Sequence, residues 1–350
     1  MTAAAVPSAR RIAWLRRRRA FAGAWREYRR SRPGMLGLGV LVLAGLVALG
    51  APLLADEADL RAVNSLDNPS WATPSEFPPL GTDNFGRSVW AQFVWGSRIS
   101  LLVGLAATAI AIVIGTVVGV AAGFFGARFG GLLMRGTEWF LVIPFLPLAI
   151  VLAAVLGPSV ENIILVIGIT SWPATARLIR AQVLTLKERL YVDRSRALGA
   201  SNRHLMGRHI LPNVAPLVLA NTTLTVPVAI LSETTLSFLG LGDPTQASWG
   251  KTLEEAFHAG AITREAWWYF LPPGLGIMLV CSRSRSAARR SRRSSTRASG
   301  SAARDRRAAD VGAASLGARP PRDVRGCRRR AGGARREPRA RGRRDARPRG

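Results

Sequence analysis

Residues that could carry out chemistry are few in this chain and widely spaced. The 350 residues include three histidines, two cysteines and two lysines. His204 and His209 are five positions apart and would not share one face of an α-helix, and His258 is isolated, so none of them has the spacing of a metal site. The sequence contains neither a phosphate-binding Gly-x-x-x-x-Gly-Lys-Ser/Thr loop nor a nucleophile elbow. Cys281 and Cys327 both lie in an arginine-rich segment and cannot form a disulfide core. The sequence therefore predicts a protein that is not an enzyme and needs no cofactor or metal.

Glu233 is the one acidic residue with an unusual setting, since it follows a long apolar run. A carboxylate within a membrane is by default a functional candidate, because leaving it in lipid costs a few kcal/mol. The alternative is a structural residue that is either solvated near the surface or paired with a neighbouring helix. We favour this structural alternative.

The formal net charge of +28 is concentrated at the two ends of the chain. Ten arginines and one acidic residue precede residue 34, and 24 arginines and five acidic residues follow residue 280. Between these ends, 15 basic and 15 acidic residues cancel. The charge of the whole chain is therefore not evidence for a nucleic-acid-binding domain, and we predict no nucleic-acid partner.

Uncharged runs of nearly the length needed to cross a bilayer recur along the central block. The predicted spans are residues 35–54, 100–125, 139–157, 162–176 and 214–231, with a sixth that begins at residue 271 and stops near 280. Pro144 and Pro147 predict kinks in the third span, and Pro173 predicts an interruption of the fourth. The fold class is thus all-α: a polytopic membrane protein with six transmembrane helices expected, the sixth truncated after about residue 280.

The charges of the connecting loops predict the orientation of these spans, because basic residues collect on the cytoplasmic side. The basic N-terminus, the turn at residues 126–138 and the basic loop at residues 177–212 are expected in the cytoplasm. The acidic loops at residues 55–98 and 240–270 are expected outside. We predict a multi-pass membrane protein, embedded in lipid, with a cytoplasmic N-terminus.

The loop at residues 177–212 is too long for a simple connector. Leu186, Leu190 and Leu198 recur at helical steps with arginines between them, a pattern typical of helices that lie on the membrane surface and offer a polar face to a soluble partner. Gly199 predicts a turn between two such helices, and Pro212 predicts the start of the next span.

The same loop resembles the cytoplasmic "EAA" loop of ABC importer permeases. The resemblance rests on Asp193-Arg194-Ser195, then Gly199, then Leu211-Pro212. Asp-Arg-Ser stands here where that family has Glu-Ala-Ala. The resemblance implies that the loop forms a coupling helix that docks on an ATPase subunit, with Asp193, Gly199, Leu211 and Pro212 as its coupling residues.

Further motifs resemble the dipeptide/oligopeptide/nickel subfamily of these permeases. Before the second span, they comprise Gly81, Thr82, Asp83, Gly86 and Arg87, followed by Gly-Ser-Arg-Ile-Ser-Leu at residues 96–101. Later motifs are Leu-Ser-Phe-Leu-Gly-Leu-Gly at 236–242 and Leu-Pro-Pro-Gly at 271–274. The resemblance runs from about residue 33 to residue 280. It implies a permease subunit of the bacterial plasma (inner) membrane that forms half of a path for peptides or related small solutes. Its expected partners are ABC ATPase subunits, a second homologous permease and an extracytoplasmic solute-binding protein.

The composition changes abruptly after Val280, and a frameshift in a GC-rich gene would explain the change. In a shifted frame, the codons for Cys281-Ser282-Arg283-Ser284 can read Val-Leu-Ala-Phe, which would continue the apolar span. With the same shift, residues 295–298 can read Leu-Asp-Pro-Arg, and sixth spans of the family typically end near that sequence. The alternative is a genuine arginine-rich disordered tail.

We therefore divide the chain into a basic N-terminal tail (1–33), a first span with its outer loop (34–99), a core permease domain (100–280) and an out-of-frame tail (281–350). The competing hypothesis is a membrane-anchored interaction protein whose basic tails bind anionic lipid or nucleic acid. It explains the charge but not the ordered motifs. A secondary transporter is a third alternative, and it would not need the long cytoplasmic loop.

Overall fold

The computed structural model describes residues 32–282, and this part of the chain is almost entirely helical. Its first four helices are α1 (Arg32–Leu49), α2 (Val89–Phe124), α3 (Ala127–Val142) and α4 (Phe145–Leu156). The later helices are α5 (Val160–Lys187), α6 (Leu190–Ala197), α7 (Asn202–Leu241), α8 (Trp249–His258) and α9 (Trp267–Ser282). Within the described range, extended pairing is limited to one isolated bridge between Thr82 and Ser88. The all-α prediction is confirmed, whereas most of the basic N-terminal tail and nearly all of the arginine-rich tail lie outside the described residues.

Short helical pieces connect α1 to α2. A single turn, Ala51–Leu54, follows α1, and two 3₁₀ turns, Glu57–Leu60 and Ala62–Ser65, come next. The indole N–H groups of Trp90 and Trp95 donate to the carbonyl oxygens of Leu54 and Ala55, at 3.1 Å each. These bonds attach the end of the first apolar segment to the beginning of α2.

Three helices between residues 32 and 282 are long and apolar enough to cross a membrane: α2, α5 and α7. The bent pair α3 and α4 counts as a fourth if it is one span. The two remaining predicted segments form shorter apolar helices, Gly39–Leu49 within α1 and Trp267–Ser282 as α9. A polytopic membrane protein is thus confirmed, with three or four helices of spanning length within residues 32–282.

Helix α2 begins eleven residues before the predicted start at Ser100. Ser88 caps it by accepting a hydrogen bond from the backbone N–H of Ala91 at 3.3 Å. The first turns of α2 carry the polar Gln92 and the charged Arg98. Because Arg98 interrupts the uncharged run, a search for such runs does not extend back beyond residue 99. With 36 residues, α2 is about 54 Å long and exceeds the hydrocarbon thickness of about 30 Å.

The predicted interruption at Pro173 is wrong, because α5 is one continuous helix of 28 residues with Pro173 in its interior. Proline removes one backbone hydrogen bond and usually kinks a helix. Here Pro173 is buried, and Thr175 and Ala176, which follow it, are also buried. The packing of this stretch compensates for the lost bond.

Helices α2 and α5 approach closely along a line of glycines. A Cβ atom at Gly119 would lie 2.6 Å from the carbonyl oxygen of Ala176, and one at Gly123 would lie 2.7 Å from the Cβ of Val183. Gly115 faces Thr175 at a similar distance. Small residues at four-residue intervals allow such contact between membrane helices.

The predicted kink in the third span occurs at Pro144, where α3 and α4 meet at 89°. Pro144 precedes the first residue of α4, and Pro147 lies in its first turn, where a missing N–H costs no hydrogen bond.

Candidate functional site

Most of the predicted loop at residues 177–212 is helical. Helix α5 extends to Lys187, and α7 begins at Asn202, so the connection is residues 188–201 with the two-turn helix α6 at its centre. Both helices therefore extend beyond the predicted span bounds at residues 176 and 214. The reason is that charged residues outside the lipid end a hydropathy run but are compatible with a helix.

The inner side of α6 is fixed by an apolar contact at the C-terminal end of α2. Val192 is fully buried in a cluster that includes Val120 and Phe124 of α2 and Leu205 and Ile210 of α7. Nearby, the Nζ of Lys187 donates to the carbonyl oxygen of Phe124 at 3.0 Å and caps α2. Helix α6 therefore rests on the ends of three longer helices.

The outer side of α6 is exposed and combines apolar and charged groups. The exposed fractions of Leu190 and Leu198, near its two ends, are 75% and 88%. Asp193, one of the predicted coupling residues, lies between them and faces Arg196 at 3.7 Å, with both side chains about half exposed. Because the Asp193 side chain is about half exposed, its carboxylate is accessible to a partner. Such an exposed ion pair contributes little stability.

The predicted turn at Gly199 is confirmed. Its φ of +82° lies in the left-handed region that favours glycine. The N–H of Gly199 donates to the carbonyl oxygen of Arg196, and the N–H of Ala200 donates to that of Ser195, which is the Schellman pattern that ends a helix. A Cβ at Gly199 would meet no atom within 4 Å, so backbone conformation alone requires glycine here.

As predicted, Pro212 lies in the first turn of the α-helical segment Leu211–Leu236, although this segment continues from a longer helix. Helix α7 begins ten residues earlier, where the Ser201 hydroxyl accepts from the N–H of His204, and it includes a π-helical turn, Leu205–Ile210. Leu211 and Pro212 are exposed on α7 directly after this turn. The coupling residues predicted from the sequence thus lie on two elements, Asp193 and Gly199 on α6 and its cap, and Leu211 and Pro212 on α7.

The π-turn also corrects the expectation for the two neighbouring histidines. A π-helix bonds residue i to residue i+5, so residues five apart lie on one face. The ring centroids of His204 and His209 are 5.8 Å apart. Pro212 has no N–H to donate to the preceding turn, while the Nδ2 of Asn213 donates to the carbonyl oxygen of His209 at 2.6 Å.

A second cluster forms around the motif before α2. Asp83 is fully buried, and its Oδ1 accepts from the N–H groups of Phe85 and Arg87 at 2.8 Å each. Its Oδ2 accepts from the Nε of Arg87 at 2.6 Å and from the Nε2 of Gln92 at 2.8 Å. The carboxylate therefore has four donors and organises the turn.

Arg87 connects this turn to α8 through a second carboxylate. Its guanidinium donates to the Oε2 of Glu255 at 2.6 Å. Burial lowers the pKa of Arg87, but the negative charges of Asp83 and Glu255 outweigh the burial and raise the pKa above its ordinary value. The guanidinium remains charged and neutralises both acids.

The other motif residues hold neighbouring backbone segments together. The Thr82 hydroxyl donates to the carbonyl oxygen of Pro69 at 2.6 Å, and the indole of Trp268 donates to that of Thr82 at 3.2 Å. Gly81 and Gly86 have positive φ, and a Cβ on either would lie within 3 Å of a backbone oxygen. These contacts give the motif a structural role in joining residues 65–88 to α8 and α9.

Glu233 is buried and hydrogen-bonded, so the solvated alternative is wrong and the structural pairing is confirmed. Its exposed fraction is 1%. Its carboxylate accepts from the hydroxyls of Ser237 at 2.9 Å and Ser100 at 3.0 Å. Ser100 also accepts from the N–H of Trp249 at 3.2 Å. Glu233 thus connects α7 with α2 and the start of α8.

The sequence matches known families over most of the described helices. Residues 112–293 match the family described as "Binding-protein-dependent transport system inner membrane component". The chain belongs to this family. It is therefore a permease subunit of an ABC transporter and not an enzyme, as predicted. Residues 20–69 of this permease subunit also match the N-terminal TM domain of oligopeptide transport permease C.

Relatives of this permease subunit are identical to it at more than a third of the aligned positions. It is 37% identical over 251 residues to the oligopeptide transport system permease protein OppC of Bacillus subtilis, covering 71% of this chain and 80% of the relative. The di/tripeptide transport system permease protein DppC of Pseudomonas aeruginosa is 37% identical, with coverages of 73% and 84%. The dipeptide transport system permease protein DppC of Alkalihalophilus pseudofirmus is 34% identical, with coverages of 73% and 83%. These comparisons support the transporter hypothesis and give no support to the interaction-protein alternative.

Proposed function

We propose that this chain is the permease subunit of an ATP-driven importer that moves peptides or related small solutes across the bacterial plasma membrane. The family match supports the transport role. The substrate class is supported by three relatives that are named for oligopeptide, di/tripeptide and dipeptide transport. The permease would form half of the path, and a second homologous permease would form the other half.

The observation that carries the proposal is the placement of two different clusters at opposite ends of α2. At its N-terminal end, Val89 packs with residues of α8 and α9. At its C-terminal end, Val120 and Phe124 pack against α6 and the π-turn. A helix of about 54 Å separates these ends, which exceeds the hydrocarbon thickness of about 30 Å. The clusters are thus far enough apart to lie on opposite sides of a membrane.

Charge assigns a side to each cluster. Residues 188–212 carry five arginines against Glu188 and Asp193, whereas residues 55–98 carry six acidic and three basic residues. By the positive-inside rule, this charge difference supports a cytoplasmic position for α6 and the N-terminus and an outer position for the Asp83 turn and α8. An extracytoplasmic solute-binding protein would meet the chain at this outer cluster.

Helix α6 has the surface expected of a coupling helix. Leu190 and Leu198 project near its two ends, and Arg194 and Arg196 are exposed between them. This surface fits an apolar groove with an acidic rim on a cytoplasmic ATPase subunit. ATP binding and hydrolysis in that partner would shift the permease between inward-open and outward-open states through contacts that differ between the states.

Substitution of Gly199 tests the docking role of α6. Gly199→Val places a β-branched residue at a φ of +82°, which strains the turn by about 1–2 kcal/mol or more. Gly199→Asn is the matched control, because asparagine tolerates the left-handed region. We expect the ATPase subunit to co-purify with wild type and Gly199→Asn and to be reduced with Gly199→Val. Equal recovery with all three chains would contradict the proposal.

A further inference from the structure

The π-turn of α7 brings His209 against α6. The Nε2 of His209 lies 3.4 Å from the Oγ of Ser195, and its ring centroid lies 5.8 Å from that of Tyr191. Ser195 and Tyr191 face the same ring because they are four residues apart on α6. Between residues 32 and 282, the contact from His209 to Ser195 is the one side-chain hydrogen bond that joins α6 to α7.

The hydrogen-bond pattern determines which group donates in this contact. The single hydroxyl proton of Ser195 goes to the carbonyl oxygen of Tyr191, at 2.9 Å. In this arrangement Ser195 Oγ is an acceptor for the Nε2–H of His209. At 3.4 Å, this contact is longer than the roughly 2.7–3.2 Å usual for an N–H···O bond, so it contributes orientation more than affinity.

The π-turn is the reason that His209 can make this contact. One extra residue per turn rotates the side chains before the turn relative to those after it, and π-turns are frequent at functional sites. Leu205 and Ile210, at the two ends of the turn, are both fully buried, so the rotation is held by packing. Asn213 satisfies the His209 carbonyl and stabilises the turn from the other side.

We propose that His209 is a positioning residue that holds α6 against α7, so that a movement of α6 is transmitted to the membrane-spanning part of α7. This inference rests on the proposed function, in which the partner ATPase subunit moves α6. Val192 anchors α6 on its buried side, but an apolar contact permits sliding and rotation. The bond from His209 to Ser195 fixes the rotation.

The test compares four variants in the full transporter complex. His209→Ala and Ser195→Ala each remove the bond, and His209→Gln keeps an N–H donor near the position of Nε2. His204→Ala is the matched control, because it removes the exposed ring that packs against His209 but makes no hydrogen bond to α6. Two readouts are measured: hydrogen exchange of the amides at residues 190–198, and substrate-stimulated ATP hydrolysis relative to basal hydrolysis.

We expect amide exchange in α6 to become about 2- to 3-fold faster in His209→Ala, the low end of what one lost hydrogen bond gives, because the bond is long. Stimulation should be reduced and basal hydrolysis retained. Ser195→Ala should have the same effect, the double variant should add little to it, and His209→Gln should restore most of the protection. Unchanged exchange in His209→Ala, or equal effects of His204→Ala, would overturn the inference. If exchange becomes faster while stimulation stays normal, the contact exists but transmits no movement, which also overturns it. Failure of the proposed function would be seen separately, as ATPase binding that does not depend on Gly199.

Discussion

At Arg87, one guanidinium neutralises two carboxylates that come from distant parts of the chain. Asp83 lies four residues away and is fully buried, whereas Glu255 lies 168 residues away on α8. The motif spacing indicated that Asp83 and Arg87 belong together. No pattern in the sequence could indicate Glu255, because only the folded arrangement of α8 brings it to the same guanidinium.

Replacing Arg87 by methionine should destabilise the permease by about 2–4 kcal/mol, because removing one partner leaves a buried carboxylate without its charge partner. Glu255→Gln should cost about 1 kcal/mol or less, because Glu255 is partly exposed and Asp83 keeps its bonds to Arg87. The melting temperature of the purified protein in detergent measures both effects. Equal melting temperatures for the two variants would contradict this role of Arg87.

The conformation and contacts of a residue were predictable only where its neighbours along the chain determine them. The turn at Gly199 follows from the left-handed conformation that glycine favours. The proximity of His204 and His209 could not be predicted, because it depends on a π-turn that forms where α7 packs against α6. The hydrogen bonds of Glu233 required Ser100, which lies 133 residues away.

At the scale of elements, close packing of α2 on α5 organises the bundle. Gly119 provides the test, because an added Cβ would lie 2.6 Å from the carbonyl oxygen of Ala176 and 2.8 Å from the Cβ of Ile179. Gly119→Ala should therefore force the helices apart and cost about 1–3 kcal/mol.

The matched control for this substitution is Gly136→Ala in α3. A Cβ at Gly136 would meet nothing within 4 Å, so this substitution should be neutral or stabilise the helix by up to about 1 kcal/mol. Thermal unfolding in detergent compares the two variants. A melting temperature for Gly119→Ala at or above that of Gly136→Ala would show that the glycine line does not determine the packing.

Hydropathy predicted where the helices lie in the chain but not where they end. It detected the apolar part of α2 and missed the first eleven residues, since these include polar groups that pack against the outer segments. It also counted the end of α5 and the start of α7 as loop, because charged residues are compatible with helix outside lipid. The continuation through Pro173 was missed because tertiary packing compensates for a local penalty.

At the scale of the molecule, the last apolar helix is α9, whose described part covers the 16 residues Trp267–Ser282. Val280 and Cys281 in this part are buried in a cluster with Ile230 and Trp249. We propose that the frame change after Val280 removes the rest of a sixth span.

A frame-restored gene tests this proposal. Continuing the apolar sequence as Val-Leu-Ala-Phe should lengthen the apolar run of the sixth span by about one turn and replace arginines, each of which is costly in lipid. We expect the restored chain to accumulate in the membrane and support uptake better than the chain as it stands. Equal uptake by both chains, or a nucleotide sequence without the restored frame, would contradict the proposal.

The most direct test of the whole account is site-specific photocrosslinking in the assembled transporter. A crosslinking residue at position 198, where Leu198 is 88% exposed on the cap of α6, is compared with one at position 262, where Ile262 is 62% exposed in the proposed outer segment. We predict that position 198 crosslinks to the ATPase subunit and that position 262 does not. A crosslink to the ATPase from position 262, or only lipid adducts from position 198, would contradict the assignment of α6 as the coupling helix.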